Sequence, residues 1–544
     1  MSLIYEFTIG SNGIDDTSNI QNAIDILRGT EDGTLFIFQY HSAPYLVSNI
    51  GIPANFTLIG NGVTIKQLNN TDNLPIFILE QAWDTRIEGF NFDGNMSGIK
   101  KVPKQYNSNA ILIIDCENIE LYNLTFKDVL LSCIAISKNV EEGCYNIKIN
   151  NCISKDMGMH YENEDYWGAF VYVNDSYNIS IRNSTVTNCY GNGILMESGN
   201  NISIDNLVME NVDKIDGISA VNCSGLRIQN CLFKDIASCP IEFNGVSEFN
   251  IVNNVVEYSE GYNVNLVTNH GIMISYNGDP QTLPNIISLN GLIQNFQGST
   301  IKPSEHYTDI NISGSENITL TSCNCPQSIS LSRWGNMDFS VACSNISIIG
   351  SSASELYIFS LTNVKIDGSN FGALRIAHYI HGINPINIWL RNSTFLDITL
   401  FNCQDVQIEN CSFNNIINTD STFYCLNNQN GLDLYYEGFP DEGNLIFTLP
   451  FNTYSNGPGL FFGTMAIDVV KTTDQYDSFI SDLYYIRSQP NGTRWLIASP
   501  VLSSISSSTT VPTYSFYILN EQIHIGAISG FMVRLTFKLG IDTV

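Results

Sequence analysis

The chain has 544 residues, of which 44% are hydrophobic and 14% are charged, so a packed core is expected and disorder is excluded. Twenty-four Lys and Arg residues oppose 53 Asp and Glu residues, and the resulting net charge of −29 argues against nucleic acid and anionic membranes as partners. The opening stretch MSLIYEFTIG has no basic region followed by an apolar one, and no long uninterrupted apolar run follows. We therefore expect a chain made in the cytosol, with neither a signal peptide nor a membrane span.

A short helix is predicted near the start of the chain. The polar residues Asp15, Asp16 and Thr17 precede the stretch NIQNAIDIL, as is typical of a helix N-terminus. Apolar residues then recur at helical spacing, at Ile20, Ala23, Ile24 and Leu27. We expect this helix to cover the end of the following repeat, within an N-terminal cap of residues 1–50.

A repeat of strand-like segments follows, and it predicts the fold. Within each segment apolar residues alternate, which is the period of a strand with one buried face. Four residues after the anchoring residue Asn or Gly predominates, and these types readily adopt a left-handed turn. The pattern predicts an all-β chain with a right-handed parallel β-helix of about fourteen coils over residues 51–426. The anchors are Phe56, Thr85, Ile119, Ile147, Ile179, Ile202, Leu226, Phe249, Ile287 with turn residue Gly291, Ile318, Ile346, Val364, Ile388 and Val406.

The repeat ends near residue 426. Residues 427–544 carry aromatic strand-like stretches, such as GLFFGTMAIDVV and SFISDLYYIR, separated by turn residues. This pattern favours a separate antiparallel β-sandwich, which we expect to stabilise a homotrimer or to bind carbohydrate.

All 14 cysteines lie between Cys116 and Cys425, several of them inside apolar runs and without the spacing of zinc ligands. Because a chain without an export signal stays reduced, we expect buried free thiols rather than disulfides. No metal or other cofactor is expected.

Three stretches near the N-terminus, IDDTSNIQNAIDIL, TLFIF and YLVSNIGIPANFTLIGNGVTI, carry a family resemblance. They resemble the cap helix, first strand and first coil of the pectate-lyase-like β-helix proteins that are common in bacteriophage tailspikes. The resemblance covers residues 7–66. It implies a homotrimeric tailspike, made in the host cytoplasm and carried on the virion tail or baseplate, that binds and hydrolyses a bacterial capsule or O-antigen. Two alternatives stay open: a non-catalytic receptor-binding or adhesin protein, and a free-standing polysaccharide lyase or fructan transferase.

One outward face offers the two carboxylates that glycosidic bond hydrolysis uses. Aligned strands place Glu242 in an outward column that also holds Tyr172 and Ser219, and they place Asp216 and His270 in the turn column just before it. We predict that Glu242 and Asp216, with His270 assisting, form the hydrolytic centre, with carboxyl groups far enough apart for the water of an inverting mechanism. Alternatively, Asp216 is a turn former and His270 a packed loop residue.

The segment around these residues also resembles the polygalacturonase family. The stretch KIDGI at residues 214–218 and the stretch NHGI at residues 269–272 look like two motifs of that family. The middle stretch, SCPI at residues 238–241, lacks the acid pair that the family uses there. The resemblance thus implies the same groove without implying the same chemistry.

Aromatic residues beside carboxylates predict sugar subsites in that groove, because pyranose rings pack on aromatic faces. The substrate-binding candidates are Tyr172, Trp167, Glu197 and Tyr166. The alternative for Trp167 and Tyr166 is a trimer interface. Basic residues are scarce on these coils, which favours hydrolysis over β-elimination of a uronate.

Overall fold

The computed structural model divides the chain into two compact units, Met1–Gln327 and Ser328–Val544. The coiled part is described over residues 3–28, 33–69, 74–99, 108–139, 143–161, 164–166, 168–260, 262, 270–275, 288–304, 307–332, 343–377, 385–419, 421 and 423–426. Further on, the described residues are 432–438, 445–448, 460–471, 478–488, 495–497, 502–505, 516–519, 522–525 and 531–542.

The predicted cap helix is confirmed and spans Thr17–Leu27. Its buried residues are the four predicted ones, Ile20, Ala23, Ile24 and Leu27. Asp16 precedes the helix, and its carboxylate accepts hydrogen bonds from the backbone N–H of Asn12 at 2.8 Å and of Leu46 at 3.0 Å. Asp16 thereby ties the start of the helix to a neighbouring strand.

Three parallel sheets build the first unit, and each coil adds one strand to each sheet in turn. The first sheet consists of Leu3–Phe7, Thr34–Phe38, Phe56–Ile59, Trp83–Glu88, Glu117–Tyr122, Tyr145–Asn150, the first halves of Tyr177–Cys189 and Asn200–Val212, Arg227–Gln229, Ser247–Val252, Ser288–Gln294 and Ser315–Thr321. The second sheet consists of Tyr45–Val47, Thr64–Gln67, Asn91–Asp93, Thr125–Val129, Ile153–Met157, the second halves of the two long strands, Leu232–Ile236 and Val255–Glu257. The third sheet consists of Ile50–Gly51, Phe77–Glu80, Ile111–Ile114, Ser132–Ser137, Ala169–Asn174, Ile194–Glu197, Ile218–Val221, Ile241–Asn244, His270–Ser275 and Thr308–Ser313.

This arrangement is the predicted right-handed parallel β-helix. The predicted anchors pair in register, for example Ile147 with Ile179 and Ile179 with Ile202. The register also adds Leu3 and Thr34 before Phe56, so the first sheet begins earlier than predicted.

One anchor was placed wrongly. The residue that pairs with Phe249 and Ile318 is Gly291, not Ile287, and the turn residue of this coil is Asn295, not Gly291. A Cβ atom on Gly291 would collide with the Phe249 ring, which occupies the interior space above it. The glycine therefore serves packing and not the turn, and Ile287 lies outside the described residues.

The predicted turn residues adopt the left-handed conformation, with a φ of 52° at Asn123 and 56° at Asn206. Their side-chain amides form a ladder, in which Asn206 donates to Asn183 at 2.9 Å and Asn253 donates to Asn230 at 3.2 Å. A second ladder was not predicted. It lies one residue before the anchors and includes hydrogen bonds from Asn146 to Asn118 and from Asn363 to Asn345.

The interior is filled by stacked apolar side chains, including the rings of Phe92 and Phe126, whose centroids lie 5.2 Å apart. Every cysteine whose side chain the structure describes is buried and free, as predicted. Cys425 lies in a described strand, but its side chain is outside the described residues. No helix in the described part of the chain is long and apolar enough to cross a membrane.

A hairpin leaves the coils of the first unit, formed by Met159–Tyr161 and Glu164–Tyr166 as an antiparallel pair. The strand Asn324–Ser332 contains the boundary between the units.

The second unit continues with parallel coils. One set of its strands pairs in parallel and comprises Ser344–Ile349, Thr362–Asp367, Ile386–Arg391, Gln404–Glu409 and Phe423–Leu426. The longer strands Ser352–Phe359, Asn370–Ala377 and Thr394–Phe401 pair with one another, and Asn415–Thr419 pairs with the last of them. Phe423 pairs with Val406 and adds one position beyond the last predicted anchor.

Leu432–Gly438 pairs in parallel with Asn415–Thr419 and antiparallel with Phe531–Asp542, and the strand pairings of the described residues beyond it are antiparallel. One group of strands comprises Leu432–Gly438, Phe531–Asp542, Leu460–Lys471, Ser478–Ser488, Trp495–Ile497 and Leu502–Ile505. A separate three-stranded sheet comprises Leu445–Thr448, Gln522–Ile525 and Phe516–Leu519. The predicted change to antiparallel strands is thus observed, whereas the domain boundaries at residues 50 and 426 and the sandwich architecture stay predictions.

Candidate functional site

The predicted outward column is present on the third sheet of the first unit. Tyr172, Leu195 and Ser219 are paired in register, and Ser219 is paired in turn with Glu242. Ile241 and Phe243 on either side of Glu242 are buried, so Glu242 points outward and is half-buried. Alternation along each strand therefore places the Glu242 carboxyl group on the outer face.

Asp216 lies in the turn column and is only 2% exposed. Its Oδ1 accepts a hydrogen bond from the backbone N–H of Cys239 at 3.0 Å, and its own N–H donates to Asn192 Oδ1 at 3.1 Å. Asp216 thus occupies one step of a ladder of side chains that cap the next coil. Asp216 therefore has the structural role of a turn residue, and this role does not exclude a function for its carboxyl group.

Asp216 and Glu242 are brought together on adjacent coils, with Asp216 three residues before the register partner of Glu242. Burial raises the pKa of the Asp216 carboxyl well above its ordinary value, and a hydrogen bond to Glu242 raises it further. The protonated form of Asp216 is favoured as a result. This contact contradicts the predicted water-sized gap between the two carboxyl groups, since inverting hydrolysis uses separations of about 6.5 to 9.5 Å.

His270 lies on the next coil and is 9% exposed. Its Nδ1 hydrogen-bonds with Thr308 Oγ1, and its Nε2 lies 3.0 Å from Asn311 Nδ2. Burial lowers the pKa of His270 to about 4, although the nearby Glu242 carboxylate acts in the opposite direction. His270 is therefore neutral at physiological pH, where it offers hydrogen bonds but no acidic proton.

Tyr172 and Glu197 form the second polar contact of this face. The Tyr172 hydroxyl donates to Glu197 Oε2 at 2.7 Å, and burial together with this bond raises the pKa of Tyr172. The hydroxyl stays protonated and fixes the position of the Glu197 carboxylate.

One coil with short outward side chains separates Glu197 from Glu242. The intervening coil carries Ser219 and Val221, which pair with the two strands on either side. Ser219 is 6% exposed, and both side chains are short. With about 4.8 Å between coils and a displacement of two residues, the backbones of Glu197 and Glu242 are about 12 Å apart. The face therefore presents two outward carboxylates on either side of the coil that carries Ser219 and Val221.

Two predicted subsite residues are not placed by this geometry. Trp167 lies outside the described residues, and so does the side chain of Tyr166, whose backbone belongs to the hairpin strand Glu164–Tyr166. Asn311 and Thr308 were missed by sequence reasoning. Thr308 and Asn311 lie one coil after His270 and Met273 and pair with them in register. Aligning these two strands in the sequence could therefore have identified them. Among the residues that the structure describes, no group of three or more His, Cys, Asp or Glu side chains is arranged to hold a metal ion.

Comparison with known proteins places the fold. Residues 141–291 match the family model described as a right handed beta helix region. A mutant of the tailspike protein of E. coli bacteriophage HK620, in complex with a pentasaccharide, is 11% identical with a TM-score of 0.50 over 97% of this chain and 90% of that one. No curated protein matches the sequence significantly.

Two further solved structures are similar at lower scores. The mannuronan C-5 epimerase A-module of Azotobacter vinelandii is 14% identical, with a TM-score of 0.45 over 66% of this chain and 96% of that one. The polygalacturonase of Erwinia carotovora is 13% identical, with a TM-score of 0.37 over 71% of this chain and 96% of that one. At these identities the likeness is one of fold.

Proposed function

We propose that this chain binds a bacterial surface polysaccharide, a capsule or an O-antigen, and hydrolyses its glycosidic bonds on the outer face of the third sheet. The observation that carries the proposal is the contact between the buried Asp216, whose pKa is raised, and the outward Glu242, at the edge of a face that carries a second carboxylate, Glu197. An acidic group that keeps its proton at neutral pH is what leaving-group protonation requires.

The proposed roles follow from exposure. Glu242 is the catalytic acid, because it reaches the outer face, and it donates a proton to the glycosidic oxygen as the bond to the anomeric carbon breaks. Asp216, which is buried, resupplies that proton through its hydrogen bond to Glu242 and is a positioning residue. Glu197, held by Tyr172, takes the proton of the water that attacks the anomeric carbon. His270 and Asn311 supply neutral hydrogen-bonding groups beside Glu242.

In this scheme Glu197, and not Asp216, is the second carboxylate, which takes the proton of the attacking water. The Glu197 carboxylate is bonded to Tyr172 on the coil opposite to Glu242, so in this scheme it turns from Tyr172 toward Ser219 when substrate binds, which shortens the backbone separation of about 12 Å toward the range that inverting enzymes use. We therefore propose inversion, with a water held above Ser219 and Val221.

The substrate class and biological setting are part of the proposal. They rest on the resemblance of residues 7–66 to tailspike openings, and the HK620 tailspike with its bound pentasaccharide has a similar fold. On this proposal the chain is a homotrimer on a virion tail, made in the host cytoplasm and acting outside the next bacterium.

The test is cleavage of purified capsule and lipopolysaccharide from candidate hosts, followed by product sizing. We expect Glu242→Gln and Glu197→Gln to lower cleavage by orders of magnitude while polysaccharide binding persists. Asp216→Asn keeps the Oδ1 cap and should lower cleavage with a changed pH–rate profile, which loss of fold would not produce.

Glu257→Gln is the matched control, because this exposed carboxylate lies on the second sheet of the same coil. Proton NMR of fresh products should show the inverted anomer. Parental cleavage by both Glu242→Gln and Glu197→Gln would place the site elsewhere. Binding of polysaccharide without any cleavage would favour the adhesin alternative.

A further inference from the structure

A row of aromatic side chains crosses the outer face of the first sheet, away from the carboxylates of the third sheet. Trp83, Glu117, Tyr145 and Tyr177 are register partners on four successive coils. Trp83 is 50% exposed and Tyr177 is 37% exposed. The rings of Tyr145 and Tyr177 are stacked, with centroids 5.4 Å apart and an interplanar angle of 4°. A regular row of half-exposed aromatic rings forms a contiguous apolar patch, and such patches mark binding sites.

A polar groove lies beside this row. It has a volume of about 520 Å³, within the range of about 300 to 1,000 Å³ that ligand sites occupy. Its lining consists of Thr57, Asp84, Thr85, Arg86, Asn118, Glu120, Asn146, Lys148, Asn178 and Ser180.

The amide ladder forms one side of the groove. Asn118 donates to Asp84 at 2.9 Å, and Asn146 donates to Asn118 at 3.0 Å. In the sequence, Asp84, Asn118 and Asn146 directly follow Trp83, Glu117 and Tyr145 of the row. The ladder holds the amides in fixed positions one coil apart, at about 4.8 Å. The groove thus offers regularly spaced hydrogen-bonding groups along its length.

Charged residues form the other side, and they are paired with one another. Arg86 lies 3.1 Å from one oxygen of Glu120, and Lys148 lies 2.9 Å from the other. The lining contains two cations, Arg86 and Lys148, and two anions, Asp84 and Glu120, so its net charge is zero. A groove with neutralised charges suits a hydroxyl-rich uncharged ligand better than a polyanion or a charged protein segment.

The row also contains a gap. Between Trp83 and Tyr145 the position is occupied by Glu117, so two aromatic side chains stand two coils apart, about 10 Å, with a carboxylate between them. Pyranose C–H faces pack against aromatic rings, and carboxylates accept hydrogen bonds from hydroxyl groups.

We infer that this groove is a second saccharide-binding site, which holds a neutral glycan segment along the coil axis with sugar rings against Trp83, Tyr145 and Tyr177. Its hydroxyl groups bond to Glu117 and to the Asn118 ladder. The site is separate from the proposed hydrolytic face and does not rest on hydrolysis there. A site of this kind keeps a long polymer attached while another part of it is cut, because linked sites raise the effective concentration of the second contact.

The test uses the full chain carrying Glu242→Gln, so that no substrate is consumed. Binding is first measured on an array of neutral and acidic bacterial glycans, and the strongest neutral oligosaccharide is then titrated by calorimetry. We expect two sites per chain in this background and one after adding Trp83→Ala and Tyr177→Ala, with at least a tenfold loss of affinity at the lost site. Trp83→Phe should retain the site.

Trp389→Ala is the matched control, because Trp389 is also an exposed tryptophan on a parallel strand, 40% exposed, but belongs to the second unit. If the third sheet does not bind sugar, the number of binding sites per chain should fall from one to zero when Trp83→Ala and Tyr177→Ala are added. This outcome separates failure of the proposed function from failure of the second saccharide site. Unchanged stoichiometry and affinity in the double variant would overturn the inference. The inference would also be overturned if no neutral glycan on the array required Trp83 for binding. A lower oligomer mass of the double variant would overturn it too, because the row would then form a contact between copies of the chain.

Discussion

Replacing His270 with Gln tests the electrostatics of the candidate site through stability. Burial lowers the pKa of His270 to about 4, against an ordinary value of 6.5. Above the unfolded-state pKa the imidazole is neutral in both states, so the full stability contribution is present. As the pH falls below 6.5, His270 binds a proton in the unfolded chain but not in the folded chain, so the free energy of unfolding decreases. The decrease ends below about pH 4, where His270 is protonated in both states.

The magnitude follows from the size of the shift. A shift of about 2.5 pKa units at about 1.4 kcal/mol per unit corresponds to about 3 kcal/mol, of which about 1.4 kcal/mol is lost by about pH 5.5. Glu242 faces His270 and favours its protonated form, whereas Thr308 and Asn311 contact the ring as neutral partners. His270→Gln keeps a hydrogen-bonding side chain but removes the titration.

The assay is urea unfolding of the parental chain and of His270→Gln at several pH values between about 7.5 and 4.5. Other groups, including Asp216, also contribute to the pH dependence, so the informative quantity is the difference between the two proteins. We expect the parental advantage to shrink by about 1.4 kcal/mol at about pH 5.5 and by more below that. Free energies of unfolding that stay parallel over this range would show that His270 titrates as an exposed histidine, and the description of the site as buried and neutral would be wrong.

Three other predictions concern the scaffold. The cysteine thiols should react slowly with a thiol reagent in the native protein, because burial disfavours the thiolate and raises, for example, the pKa of Cys189 to about 12. After denaturation without reductant, close to all 14 thiols should react with the reagent, and recovery of only a few would reveal disulfides. Light scattering should give three times the 60.5 kDa chain mass, and truncation at residue 427 should lower it; a monomeric full-length chain would contradict this. Gly291→Ala should destabilise the fold by about 1 to 3 kcal/mol because the Phe249 ring fills its place, whereas Gly51→Ala should be nearly neutral; equal melting temperatures for both variants would refute the packing argument.

The repeat made the coils predictable because a parallel β-helix stacks like on like. Ile147, Ile179 and Ile202 recur in sequence and pair in space for the same reason: each must fill the interior at the same point of its coil. The same logic failed at Gly291. A glycine carries no hydrophobic signal, and the space it leaves is filled by Phe249 from the neighbouring coil, which sequence alignment of single coils does not reveal.

The positions of Asp216 and Glu242 on their coils could be predicted from the sequence, whereas their electrostatics could not. Alternation along the strands is enough to place Glu242 outward and three residues from the level of Asp216. The direct contact between their carboxyl groups depends on side-chain conformation and on the depth of Asp216, which a one-dimensional pattern does not contain. For the same reason the neutral state of His270 follows only from its burial.

The turn column explains how such a site can arise in a repetitive fold. Asn192 and Asp216 perform the same structural task, each accepting the backbone N–H of the next coil through its Oδ1. A carboxyl group in place of an amide at one step therefore keeps the cap and adds an ionisable proton, and burial at that position raises the pKa of the carboxyl group and favours its protonated form. In the proposed mechanism Glu242 on the following coil brings this proton to the outer face. On that proposal a ladder that stabilises the coils also supplies a proton through one change of functional group, and Asp216→Asn reverses that change while leaving the ladder intact.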